Sequence, residues 1–187
     1  YLIWDYCVGF ICNWGVHNLD QANWGCPEVG TQPFELECRA DYRNKGFTDN
    51  VNGWDATFTY PGGLKMIFKD SDKLLQGCRF IGEEGWVHVC RQGITAEPES
   101  LLTVEFKESD VPLTDSTNHA ANFLACMKTR NDPVSSVDSA HIATSLGILA
   151  DIAARLEQKV AWDPAAERFV DNDAANAMLH RDMHNGW

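Results

Sequence analysis

The sequence predicts an α+β fold: an open, mainly antiparallel sheet with helices packed on one face. Three observations carry this expectation. After one short helix near the start, segments alternating apolar and polar residues occupy the chain up to about residue 110. Segments of helical period follow, and strand and helix never alternate as in a βαβ chain.

The elements follow in order. Residues 14–24, Trp-Gly-Val-His-Asn-Leu-Asp-Gln-Ala-Asn-Trp, read as the short helix, closed by Gly25 with Pro27 as a stop signal. Phe34, Leu36, Cys38 and Ala40 then alternate with Glu35, Glu37, Arg39 and Asp41, the pattern of a half-buried strand. Alternation resumes from Trp54 to Tyr60, turns at Pro61-Gly62-Gly63 and returns through Leu64 to Phe68, an antiparallel hairpin. A second hairpin joins Arg79–Ile81 to Trp86–Cys90 through Gly82-Glu83-Glu84-Gly85. Ser116 and Thr117 are expected to cap a helix running to Arg130, ahead of Pro133. Ser135 with Asp138 starts a longer helix whose stripe is Ile142, Leu146, Leu149, Ile152, Ala153 and Leu156. A last short helix follows Asp171 and is expected to bury Ala174, Ala175, Met178 and Leu179.

The 187 residues suit one domain, 1–187, with a sizeable core. Aromatic residues Trp54, Phe58, Tyr60, Phe80 and Trp86 exceed what one covered face absorbs, so the other sheet face is expected to be an oligomer interface and the protein a homo-oligomer. A net charge of −12 sets the chain against nucleic acid and anionic membrane. No run reaches the length that spans a bilayer. The first residues lack the basic region of a signal peptide, and without a leading Met the chain is expected to be a fragment or a processed product. Localisation stays open between the cytoplasm, which is favoured, and export by a preceding segment. Seven scattered cysteines with no C-x-x-C pair are expected to be reduced and mostly buried.

One constellation can carry chemistry. Asn13, His17, Asp20 and Trp24 share a helical stripe at offsets 0, 4, 7 and 11. Three readings fit that spacing. His17 is a satisfied core histidine with Asn13 capping and Asp20 solvated; or it transfers protons with a carboxylate fixing its tautomer; or it joins Asp20 on a metal, for which no third ligand is visible. His119, at a helix start, is either a substrate contact or a packing histidine. His88 reads as an interstrand or interface residue. His180 and His184, with Asp182 between, suit a solvated helix end better than a metal. Trp162-Asp163-Pro164 reads as a turn.

The stretch from Trp4 to Asp20 resembles the G-G-x-x-x-D-x-x-x-H-x-x-D segment of the Gfo/Idh/MocA oxidoreductases, relatives of glucose–fructose oxidoreductase and inositol dehydrogenase. The likeness continues at Tyr60-Pro61-Gly62-Gly63, Phe80 to Trp86, His119 to Leu124, Trp162-Asp163-Pro164 and Ala174-Ala175-Asn176, so nearly the whole chain is similar to the family's carboxy-terminal domain. The resemblance implies a substrate-binding and oligomerisation domain of an oxidoreductase acting on a sugar or sugar derivative. NAD or NADP and a catalytic Lys in Glu-Lys-Pro would belong to an amino-terminal Rossmann domain absent from this chain, which has neither Glu-Lys-Pro nor a G-x-G-x-x-G after a strand. His17 would act as acid/base, Asp20 would match the carboxylate that follows it, and Asn13, Trp14 and His119 would contact substrate. Asn13 stands where many members have Asp, which leaves hydrogen bonding but no ionisable partner. The rival reading is a non-catalytic carbohydrate-binding or oligomerisation module.

Overall fold

A computed structural model describes residues 2–42, 46–70, 74–108, 110 and 113–181. The chain divides into two compact units, one formed by Tyr1–Gln76 with Ile142–Trp187 and one by Gly77–His141.

In the first unit, three short helices, α1 (Phe10–Asn13), α2 (Gly15–Gly25) and α3 (Glu28–Thr31), precede β1 (Phe34–Tyr42), β2 (Val51–Thr59) and β3 (Lys65–Lys69). After the second unit come α5 (Val137–Leu156, whose first residues belong to that unit), β7 (Val160–Asp163), β8 (Arg168–Phe169) and α6 (Asp173–Ala177). The strands form one open sheet in the order β3-β2-β1-β7-β8, with every pairing antiparallel.

Register explains why one face is a core. Leu36 lies opposite Phe58 and Cys38 opposite Ala56; Phe34 faces Trp162, Leu36 faces Val160, and Ala56 faces Phe68. Each pair shares a face because side chains alternate along a strand. The rings close up there: Phe34 lies 5.2 Å from Phe58 and 5.4 Å from Tyr60, Trp54 5.3 Å from Phe68, and Trp162 5.1 Å from Phe169. Helices complete the layer with Ile11, Leu19, Val29, Leu146, Leu149 and Ile152, all buried. Two glycines permit the close approach. A Cβ on Gly15 would lie 2.5 Å from Phe68 Cζ, and one on Gly147 would lie 2.8 Å from Cys12 Sγ. Gly15→Ala is therefore expected to cost about 1–3 kcal/mol by forcing α2 off the sheet, read as a lower denaturant midpoint.

Three of the five aromatic residues expected to exceed one covered face lie inside this unit. Trp54, Phe58 and Tyr60 are buried beneath the helices, and the opposite face carries Glu35, Glu37, Arg39 and Lys65. Ion pairs link Lys159 to Glu35 (2.6 Å) and Lys69 to Asp55 (2.7 Å) across that face. From Trp54 on, the even-numbered residues of β2 point to the core, so Trp54, Phe58 and Tyr60 give no reason for association through this sheet; Phe80 and Trp86 belong to the second unit.

The second unit holds β4 (Cys78–Gly82), β5 (Gly85–Cys90), β6 (Gly93–Glu97) and α4 (His119–Thr129). Its three strands form a separate antiparallel sheet, β4-β5-β6, so the single expected sheet is two. The expected β4–β5 hairpin is present, with Gly82 opposite Gly85, and β6 was not foreseen. No helix among the described residues is long and apolar enough to cross a membrane.

Several local expectations change. Asn118, rather than Ser116 or Thr117, caps α4: its Oδ1 accepts from Ala121 N–H at 2.9 Å. Ser136, rather than Ser135, caps α5 by accepting from Ser139 N–H at 3.2 Å. Trp162 and Asp163 belong to β7, and Asp163 Oδ1 accepts from Ala165 and Ala166 N–H to form the turn beyond. At α6 only Ala175 is buried; Ala174 is exposed and Met178 and Leu179 are half-buried. Asn176 instead fastens that helix, exchanging both of its amide hydrogen bonds with the backbone of Phe169.

Candidate functional site

The site begins with how α1 and α2 are held. Gly15, Leu19 and Ala22 are the buried residues of α2 and face the sheet. Asn13, His17, Asp20 and Trp24 are offset from those three by about two residues, roughly 200° round a helix, so they point away from the core. Asn13 and His17 are exposed, and Asp20 and Trp24 are half-buried. His17 is thus not a core histidine.

The helix expected over residues 14–24 is α2 (Gly15–Gly25), and the short α1 precedes it; Trp14 between the two keeps right-handed helical dihedrals (φ −92°, ψ −35°). Asn13 N–H bonds to Gly9 O and His17 N–H to Trp14 O (3.2 Å), so the stripe stays on consecutive turns. Asn13 closes α1 rather than capping α2. The His17 imidazole meets the Trp14 indole edge-on, with centroids 5.8 Å apart. Trp14 is 45% exposed, and Phe10 and Tyr6 are exposed nearby in sequence. The arrangement offers an accessible proton carrier, a carboxylate one turn further on and an aromatic platform.

Behind the site lies a buried anchor that spacing did not reveal. Asp151 on α5 is 1% exposed; its Oδ2 accepts from Trp4 Nε1 and from Arg155 Nε, both at 2.8 Å. The Arg155 guanidinium stacks 4.3 Å from the Trp4 ring and 4.9 Å from the Tyr42 ring. Trp4 N–H also bonds Asp49 Oδ1 at 2.7 Å. The segment leading into α1 is therefore tied to α5 and to the loop after β1. The available signal was the i,i+4 pairing of Asp151 with Arg155 on an otherwise apolar stripe.

Burial, helped by Asp151 and Cys7, pushes the Cys12 thiol up to about 12. Roughly one part in ten thousand is then thiolate at pH 8, so Cys12 is expected to stay unalkylated in the native protein at that pH and to react once unfolded, as peptide mass mapping would read.

His119 is the first residue of α4 in the second unit and is exposed, so it is not the packing histidine of the alternative reading. His88 is buried in β5 between Arg79 and Thr95 of the flanking strands. Among the described residues no group of three or more His, Cys, Asp or Glu is gathered for a metal. The His180–His184 pair cannot be placed, because Asp182 and His184 lie outside the described residues.

The family model described as the oxidoreductase family, C-terminal alpha/beta domain, of Gfo/Idh/MocA type, matches residues 2–187. The chain belongs to that family. No curated protein matches it. Solved structures share the fold of this Gfo/Idh/MocA domain at low identity. Aldose-aldose oxidoreductase from Caulobacter crescentus complexed with glycerol matches at 17% identity and TM-score 0.54, over 78% of this chain and 45% of that one. An NAD-binding protein from Listeria innocua matches at 14% and 0.52, over 81% and 51%. An oxidoreductase from Agrobacterium radiobacter in complex with NAD+, L-tartaric acid and magnesium matches at 14% and 0.50, over 82% and 48%. The Gfo/Idh/MocA domain described here spans about half the length of these matched proteins.

Proposed function

We propose that this chain is the substrate-binding domain of an NAD(P)-dependent oxidoreductase acting at a hydroxyl or keto carbon of a sugar or sugar derivative. The observation that carries the reading is the exposed His17 beside the Trp14 indole, on a helix face that takes no part in the core. Neutral imidazole accepts a proton near pH 7, and an indole edge or face suits the apolar C–H surface of a sugar ring. His17 takes the hydroxyl proton as the alcohol is oxidised and returns it in reduction. Asp20 orients and stabilises the imidazolium, Asn13 hydrogen-bonds a substrate hydroxyl, and Trp14 forms the platform. His119, at the start of α4, is proposed separately as a substrate contact.

The dinucleotide belongs to a part of the protein outside this chain. Supporting this, every described strand pairing is antiparallel, whereas a dinucleotide crevice needs parallel βαβ units with a glycine-rich turn. When bound, the nicotinamide supplies or accepts the hydride; the residues here handle the proton and hold the substrate. The test is nicotinamide absorbance in the full-length protein with a panel of aldoses, cyclitols and their acids. Substrate-dependent reduction of NAD+ or NADP+ is expected, and silence across the panel with both cofactors would remove the assignment.

A further inference from the structure

Helices α1 and α2 meet at Trp14 but are held by different means. Helix α2 buries Gly15, Leu19 and Ala22, and Gly15 lies close against Phe68 of β3. Helix α1 has four residues, one buried side chain (Ile11) and no side-chain cap at its start. So short a helix does not fix its own direction. Asn13 stands on α1 and His17 on α2, so the angle between them depends on what holds α1.

Two consecutive residues in the loop after β1 do so. Asp49 N–H donates to Leu2 O at 3.3 Å, and Asp49 Oδ1 accepts from Trp4 N–H at 2.7 Å. Buried Asn50 lies against Gly9, where an added Cβ would stand 3.0 Å from Asn50 Cβ and 3.2 Å from its Cγ. Gly9 also takes φ +75°, a left-handed conformation that suits glycine. Its carbonyl then accepts Cys12 N–H at 3.3 Å and Asn13 N–H at 2.9 Å. A continuous path therefore runs from Asp49 and Asn50, through Leu2, Trp4 and Gly9, into the only turn of α1. The loop is itself steadied from α5, because Asp49 O accepts from Arg155 Nη2 at 3.5 Å. Asp49 is exposed, so its carboxylate takes no part in the core.

We infer that Asp49 is a positioning residue for the candidate site: by holding the segment before Gly9 it sets α1, and with it Asn13 and Trp14, at a fixed angle to His17. Its effect on turnover rests on the oxidoreductase reading; its effect on α1 rests on the hydrogen bonds alone. The position requires an acceptor for Trp4 N–H and not a charge, so asparagine can serve where alanine cannot. Asn13 and Trp14 move together with the substrate they hold. A loosened α1 thus leaves binding in place but misaligns the reacting hydroxyl with His17, and proton transfer is sensitive to such misplacement.

The experiment compares Asp49→Ala and Asp49→Asn in the full-length protein by amide hydrogen exchange, steady-state kinetics and urea denaturation. In Asp49→Ala the protection of residues 10–14 is expected to fall about tenfold while that of residues 19–25 is kept. With the sugars that the wild type oxidises, kcat is expected to fall roughly tenfold, with KM within about twofold and the urea midpoint unchanged. Asp49→Asn is expected to stay within about threefold of the wild type in both exchange and kcat. The inference is overturned by an Asp49→Ala variant whose α1 exchanges as in the wild type, by one that loses protection throughout α2 as well, or by one with normal kcat. An Asp49→Asn variant as impaired as the alanine overturns it too. A wild-type protein silent with every sugar removes the oxidoreductase reading instead, and hydrogen exchange then decides the role of Asp49 alone.

Discussion

On the proposed oxidoreductase reading, replacing His17 with alanine in the full-length protein is expected to lower nicotinamide-linked turnover by about 10²–10⁴-fold, the usual contribution of a positioned general acid or base. The proton of the reacting hydroxyl then has only solvent to receive it, while binding through Trp14 and Asn13 persists, so the loss falls on kcat more than on KM. Stability stays within about 0.5 kcal/mol, because His17 is exposed and takes no part in the core. A normal rate in this variant would strip His17 of the proton-transfer role. A normal rate in the wild type with a dead, destabilised variant would instead make it a scaffold residue. Steady-state kinetics together with a denaturation curve separate these outcomes.

Asp151→Ala is the largest stability loss expected, about 3–5 kcal/mol, the cost of breaking a buried ion pair by removing one partner. Arg155, half-buried between Trp4 and Tyr42, then keeps its charge without the carboxylate 2.8 Å away, and Trp4 Nε1 loses its acceptor. Part of that cost is returned, since Asp151 Oδ1 is itself buried without a hydrogen-bond partner in the described structure. Asp151→Asn is expected to fall between, because an amide oxygen still accepts but carries no charge. Urea midpoints of the two variants measure this, and a loss under about 1 kcal/mol for Asp151→Ala would mean that the anchor contributes little.

The first strands were legible because period-two alternation is long enough to see. β1 runs nine residues with one face buried, and β2 matches it. β7 and β8 have four and two residues, too short for any period, and exist because Phe34 and Val160 had partners waiting across the sheet. β6 was hidden for a related reason: Gly93 to Glu97 has almost no buried position. The aromatic residues of β2 misled because their number was visible and their direction was not. The outward stripe of Asn13, His17 and Asp20 was legible because helical spacing survives the break at Trp14. Asp151 was not, since a carboxylate in a helix normally reads as solvated, and its partner Trp4 is remote in sequence.

The division of labour within α2 has a further consequence. Gly15, Leu19 and Ala22 are buried, while Asn13 and His17 point outward and are exposed. Selection can therefore rewrite the outward letters almost freely, changing what the surface recognises while the inward letters keep the scaffold intact. Related chains with unlike ligands can thus share this helix as a common stem on which specificity is exchanged.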